Sequence, residues 1–200
     1  MAILPGAMNR RKPVAPEIFR LRDAGAAGLT RGRLRGMVAR GEVEKSGRGI
    51  YRRVREVTEL DTVATVCARI PGAVVCLLTA LLIHKIGTQV SADVWVAIDR
   101  KARKPRVDDL PVRIVRFSPA MLRYGIEEHR VHGVAVRITS PARTVVDCFR
   151  YRNKIGIDVA LEALRESLRE HQVSVDSIIR AARVGRVDVV MRPYLEAMLS

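Results

Sequence analysis

The chain has 200 residues, of which 48% are hydrophobic, so it can bury one good core or one core plus a small satellite domain. A formal net charge of +15 and a sequence pI near 10.9 imply a polyanionic partner such as nucleic acid or an anionic membrane. The longest apolar run, 74–83, contains Thr79 and falls short of the roughly 18 residues a bilayer requires, and Cys67, Cys76 and Cys148 form neither a CxxC pair nor an even set, which excludes a membrane span and a disulfide framework.

Residues 1–15 (MAILPGAMNRRKPVA) place their charges after a short apolar stretch, the reverse of a signal peptide, and are expected to be a disordered tail of a cytoplasmic protein. The first 55 residues hold 14 Lys and Arg against 4 Asp and Glu, net +10, leaving 22 against 17, net +5, for the remainder. Residues 16–24 (PEIFRLRDA) begin with Pro and place Ile18, Leu21 and Phe19 inward, which predicts a short helix stopped by Gly25. Thr30 is the N-cap of a second helix over 31–40, with Leu34, Met37 and Val38 on one stripe and Gly41 at its end. Two short helices in this order match helix-turn-helix, whose second helix lies in the DNA major groove.

Opposite the Leu34 stripe stand Gly32, Gly36 and Ala39, flanked by Arg33 and Arg40 on one side and Arg35 on the other. Each glycine costs about 1 kcal/mol of helix stability relative to Ala, so two on one face suggest close approach to another surface. Between arginines such a floor seats a helix against DNA; a weak solvated helix with ordinary surface arginines is the alternative. The next stretch, EVEKSGRGIYRR at 42–53, alternates as two short strands joined through Ser46, Gly47, Arg48 and Gly49. This predicts a wing whose Lys45, Arg48, Arg52 and Arg53 reach flanking phosphates or the minor groove, so the expected DNA-binding set is Thr30, Arg31, Arg33, Arg35, Arg40, Lys45, Arg48 and Arg52.

A charged connector over 53–60 places a domain boundary near residue 55. A helix over 61–69 ends at Pro71 and Gly72, and the apolar segment 74–83 reads as a core helix with His84 and Lys85 capping its C-terminal end. Period-two alternation predicts strands at 93–98, 112–117 and 134–138, with 127–131 pairing the last through His132 and Gly133, in a small antiparallel or mixed sheet. The intervening loop RKARKPRVDD at 100–109 is a basic cluster before an acidic pair, either solvated or a second phosphate contact. Ser140 and Pro141 open a helix through about Tyr151; Ile157, Leu161, Leu164 and Leu168 then form a stripe, with Glu162–Arg165 and Glu166–Arg169 pairs outside. Two further helices, 174–183 and 187–199, the last containing Pro193, complete an α+β architecture.

No catalytic constellation emerges, and neither a metal nor a cofactor is expected. His129 and His132 beside Glu127 and Glu128 have metal-like spacing without a third ligand set, and Cys148 sits on an apolar stripe with Val145 and Phe149, where a thiolate is disfavoured. Asp93 and Asp99 bracket a strand without the Gly-Ser turn of a nucleotidyltransferase, and no P-loop or dinucleotide fingerprint is present. Two other classes remain in view: a nucleotide-dependent enzyme acting through Asp147 or Asp93, and a protein-interaction module with incidental DNA binding.

CLLTALLIHKI at 76–86, VWVAI at 94–98, VRIVRFS at 112–118, SPARTVVDCFRYRNKIGIDVALEALRE at 140–166 and VMRPYLEAML at 190–199 resemble the AbiEi antitoxins of abortive-infection systems, and the likeness covers essentially 30–200. It implies an N-terminal winged helix-turn-helix, an antitoxin domain over 56–200, repression of the protein's own operon, a possible homodimer on DNA, and antagonism of a nucleotidyltransferase-like toxin without a stable complex. Family winged domains begin with an additional helix that 1–15 is too short, polar and Pro-interrupted to replace, which implies a trimmed module. Asp147, Arg150, Tyr151, Arg152 and Asn153 look like a signature of the antitoxin domain, with Asp147, near Arg143, expected to be an ion-pair centre and not a catalyst.

Overall fold

Residues 17–25, 28–54 and 59–199 are described by the computed structural model, in which the chain forms two units, 1–56 and 57–200. Both the expected tail and the question of an additional N-terminal helix lie outside the described residues. The architecture is α+β, as expected.

In the smaller unit the order is β1 (Ile18–Arg20), a 3₁₀ turn (Leu21–Asp23), α1 (Arg31–Ala39), β2 (Val43–Gly47) and β3 (Ile50–Arg53), and the sheet order β1-β3-β2 is antiparallel throughout. The expected helix at 16–24 is therefore corrected to a strand and a turn. Ile18 and Phe19 are β-formers, and β3 supplies hydrogen-bonding partners that no local pattern reveals: Arg53 N donates to Glu17 O at 2.9 Å and Leu21 N to Gly49 O at 2.8 Å. Phe19 stacks on Tyr51 with ring centroids 6.0 Å apart, over a core of Ala24, Leu29, Leu34, Met37 and Val43. Val38, expected on the inner stripe, is 40% exposed. With the apolar contacts of this small core made by Leu34 and Met37, the helix turns Val38 outward.

The larger unit comprises α2 (Glu59–Arg69), β4 (Val74–Val75), α3 (Leu77–His84), β5 (Val94–Asp99), β6 (Val112–Phe117), β7 (Ile126–Val131), β8 (Val134–Thr139), α4 (Pro141–Arg150), α5 (Arg152–Ile155), α6 (Ile157–Arg169), α7 (Val175–Gly185) and α8 (Asp188–Leu199). Its sheet order is β6-β5-β4-β8-β7, with β4 antiparallel to β5 and parallel to β8, β5 and β6 parallel, and β7 and β8 a hairpin turning through His132 and Gly133, both at positive φ. Strand side chains alternate between two cores. Val74, Trp95, Ala97, Val115 and Phe117 face a core shared with α3, α4 and α6 to α8, while Val75, Val94, Val96, Val136 and Ile138 pack with Val63, Val66 and Ile70 of and after α2.

The expected single helix over 74–83 is split. Val74 and Val75 form the central strand, because an unbroken apolar run suits a strand buried on both faces as well as it suits a buried helix, and only the pairing with β5 and β8 decides. His84 does not cap α3; Lys85 takes that place in the left-handed region, and His84 Nε2 donates to Thr139 O at 2.7 Å. On α6 the buried face is Val159, Ala160, Ala163, Leu164 and Ser167, whereas Ile157 is exposed. Small residues let α6 approach α4 closely, which rotates the expected Ile157, Leu161, Leu164, Leu168 stripe partly out of the core. The two expected helical ion pairs give way to loop anchoring: Glu162 accepts from Thr88 N at 2.9 Å and Thr88 Oγ1 at 2.7 Å, and Glu166 from Gly87 N at 2.6 Å. Cys67, Cys76 and Cys148 are buried free thiols, and burial pushes Cys67 up to about 12.

Candidate nucleic-acid interface

The N-terminus of α1 is set by Thr30, whose Oγ1 accepts from Arg33 N at 3.2 Å. Removing that acceptor in Thr30→Ala is expected to cost about 1 kcal/mol, read as a lower urea midpoint for the smaller unit; an unchanged midpoint would show that the cap does not hold the helix. The opposite end closes at Gly41, with φ +70° and the Glu42 N–H bonded to Met37 O at 3.0 Å. Between these ends Leu34 and Met37 point into the core, and Arg31, Arg33 and Arg35 are exposed.

The side chains of Arg31, Arg33 and Arg35 make no hydrogen bond or ion pair with any described residue, so three exposed cations share one short helix. Arg40 is different: its Nε lies 2.5 Å from Glu42 Oε1. The hydrogen bond holds the Glu42 carboxyl below its usual range and raises Arg40. Gly32 has open space where a Cβ would stand, whereas a Cβ at Gly36 would meet Arg40 Nη1 at 3.1 Å. The helix surface is thus open at Gly32, while the Arg40 guanidinium covers Gly36.

In the hairpin, Val43 opposes Arg53, Glu44 opposes Arg52 and Lys45 opposes Tyr51, with an irregularity between Lys45 and Gly47 that feeds the turn. Lys45 and Arg48 are exposed, and neither is bonded to a described residue through its side chain. Arg52 is drawn back onto the sheet: its Nε donates to Glu44 Oε1 at 2.9 Å, and its side chain is only 15% exposed. Of the eight residues expected to meet DNA, the structure brings Arg31, Arg33, Arg35, Lys45 and Arg48 to the surface without a hydrogen bond or ion pair to a described residue, uses Thr30 as a cap, and engages Arg40 and Arg52 with carboxylates. The Glu44 pairing was available from the hairpin register, and the Glu42 pairing from its proximity in sequence.

The proposed signature of the larger unit lies elsewhere, at the end of α4. Arg143 and Asp147 are fully buried, with Nε to Oδ1 at 2.9 Å, and Arg143 Nη1 donates to Met121 O at 3.1 Å and Tyr124 O at 3.0 Å. Gly125 is required beside them, since at φ +59° a Cβ would stand 3.0 Å from Arg143 Cβ. Arg150 Nη1 donates to Gly185 O at 2.5 Å, Tyr151 Oη to Arg116 O at 2.8 Å, and Arg152 Nη1 to Phe149 O at 2.9 Å; Asn153 is exposed. These bonds join α4 to β6, α7 and the turn before β7. The two histidines with metal-like spacing go to separate partners, His129 to Glu127 at 3.2 Å and His132 to the buried Asp61 at 3.5 Å. Asp93 is held by Arg113 at 2.6 Å, and Asp99 Oδ1 accepts from Lys101 N at 2.7 Å, so each carboxylate has its own local partner.

Residues 16–54 match the family of transcriptional regulators described as AbiEi antitoxin. The match agrees with the resemblance seen in the sequence, and over residues 16–54 the chain is similar to a family of antitoxins and transcriptional regulators; the three-stranded sheet, α1 and hairpin there are consistent with a winged helix-turn-helix. The segments that carry the resemblance in the larger unit lie outside the matched span. A comparison of the whole chain with curated proteins gives no significant match. Among the described residues, no helix is long and apolar enough to cross a membrane.

Proposed function

We propose, with residues 16–54 matching the AbiEi antitoxin regulators as the premise, that the chain is a DNA-binding autorepressor and antitoxin of a type IV toxin-antitoxin system. It represses its own operon through a winged helix-turn-helix, acts in the cytoplasm in abortive infection of phage-exposed cells, and counteracts a nucleotidyltransferase-like toxin without a stable complex. The chain itself is not an enzyme.

The observation that supports this reading is the set of five exposed cations without an ion-pair partner among the described residues on α1 and its following hairpin, Arg31, Arg33, Arg35, Lys45 and Arg48, in the segment matched to regulators. α1 enters the major groove on its bare Gly32 side, and the hairpin lies along the flanking phosphates. The larger unit supplies the antitoxin activity, with Arg143 and Asp147 in a structural role.

The test is binding of the full chain to its own upstream promoter against a scrambled duplex across a range of salt concentrations. Binding that prefers the promoter and falls steeply with salt is the expected outcome, because each neutralised phosphate releases counterions. A flat salt response, or equal affinity for both duplexes, would remove the repressor from the reading.

A further inference from the structure

The larger unit carries a cleft of about 600 Å³ bordered by the segment after α2, the end of β5, the loop that follows it, and Leu122. We infer that this cleft binds a nucleotide, with its base on the apolar floor and its phosphates on a cationic rim. The cleft lies wholly within residues 57–200, so the inference does not rest on DNA binding by the smaller unit.

Ile70, Pro71, Ile98, Pro105 and Leu122 make the floor, an apolar surface suited to the face of a planar ring. Arg103, Lys104 and Arg106 line the same cleft from the loop; all three are exposed, and their side chains bond to no described residue. Two other charged groups line it and are already engaged: Arg69 donates to Asp109 through two bonds of 2.9 and 3.0 Å, and Asp99 accepts from Lys101 N. The balance at the rim is therefore three available cations against the one carboxylate of Asp99, whose charge an amide N–H does not neutralise. A guanidinium and an ammonium on a short span match the spaced oxygens of a polyphosphate, and a guanidinium can also stack on a base.

The loop is held in shape at both ends, which separates it from a basic coil. Arg116 Nη1 donates to Asp99 O at 2.9 Å and also to Ala102 O, and Tyr151 Oη fixes Arg116 through its carbonyl at 2.8 Å. At the other end the Arg69–Asp109 pair ties the loop to α2, and Val107 is buried in the core beneath the sheet. Arg137 ties two of the lining residues together, donating to Gly72 O at 3.3 Å and to Leu122 O at 2.9 Å. The three cations thus project from a preorganised frame, which lowers the ordering cost of binding. The volume lies within the range of about 300–1,000 Å³ of small-molecule sites. It accommodates a mononucleotide, whereas a duplex has no base face to lay on the floor.

Calorimetric titration of the full chain with ATP, inorganic tripolyphosphate and adenosine separates the parts, with the other three nucleoside triphosphates testing base preference. ATP is expected to bind one to one, tripolyphosphate at least tenfold more weakly, and adenosine not measurably. Combining Arg103→Ala, Lys104→Ala and Arg106→Ala is expected to weaken ATP tenfold or more with the circular dichroism and melting temperature unchanged, while Arg35→Ala leaves ATP binding intact. Absence of ATP binding at millimolar concentration, or tripolyphosphate binding as tightly as ATP, would overturn the inference. So would a triple variant that loses affinity for duplex DNA and keeps it for ATP, since the loop would then be a nucleic-acid contact.

Discussion

Arg143→Ala destabilises the larger unit by about 3–5 kcal/mol, the usual consequence of removing one partner from a buried ion pair. Arg143 and Asp147 are both 0% exposed, and Arg143 joins α4 to the carbonyls of Met121 and Tyr124. Its loss strands a carboxylate and two acceptors without water. Burial pushes Asp147 up to about 6, with Arg143 opposing the rise. The folded carboxyl therefore binds its proton more tightly than the unfolded one, whose pKa is about 3.9. Between these values the native state holds more protons, so this group's contribution to stability is fully present below about pH 4, declines as pH rises toward 6, and is flat above. Asp147→Asn is expected to remove that decline while keeping an acceptor for Arg143. Urea unfolding followed by hydrogen exchange in α4, between pH 4 and 7.5, checks both statements; a variant Arg143→Ala within about 1 kcal/mol of the parent would show that the pair does not hold the fold.

Replacing Arg31, Arg33 and Arg35 together with Ala is expected to lower promoter affinity by about a hundredfold or more near physiological salt and to flatten the salt slope by up to about 0.9 for each phosphate contact removed. Arg40→Ala and Arg52→Ala serve as contrasts. Their guanidinium groups already face Glu42 and Glu44, so DNA gains less from them, and a several-fold effect is expected. Arg35→Ala alone tells base from phosphate: relaxed preference between promoter and scrambled duplex marks base contact, and uniform weakening marks phosphate contact. Equal losses for the Arg31, Arg33, Arg35 set and the Arg40, Arg52 pair would mean that the exposed face of α1 is not the reading surface. Fluorescence anisotropy with both duplexes gives the affinities and the slopes.

How much of the candidate interface was legible depended on how local its determinants are. Thr30 as cap, α1 from Arg31, Gly41 as its stop and the hairpin about Arg48 follow from short-range rules of capping, periodicity and turn chemistry, and they stand where the sequence places them. Compensation of Arg40 and Arg52 was partly legible, since Glu42 is two residues away and Glu44 faces Arg52 once the hairpin is registered. The cleft under the 100–109 loop was visible only as a run of charge, because its floor comes from Ile70, Ile98 and Leu122, far apart in the chain.

From the sequence alone came the concentration of positive charge in the first 55 residues, their separation from a larger α+β part, the strands that alternate at period two, and the family resemblance later matched over residues 16–54. Only the tertiary structure decided that Ile18 to Arg20 is a strand and not a helix, that Val74 and Val75 are the centre of a sheet and not the start of α3, and that α6 turns its alanines inward. The physical reason is common to all three. Each segment's apolar pattern satisfies more than one local conformation, and the free-energy difference comes from partners distant in sequence: the open edge of β3, the flanking strands β5 and β8, and the close approach of α4.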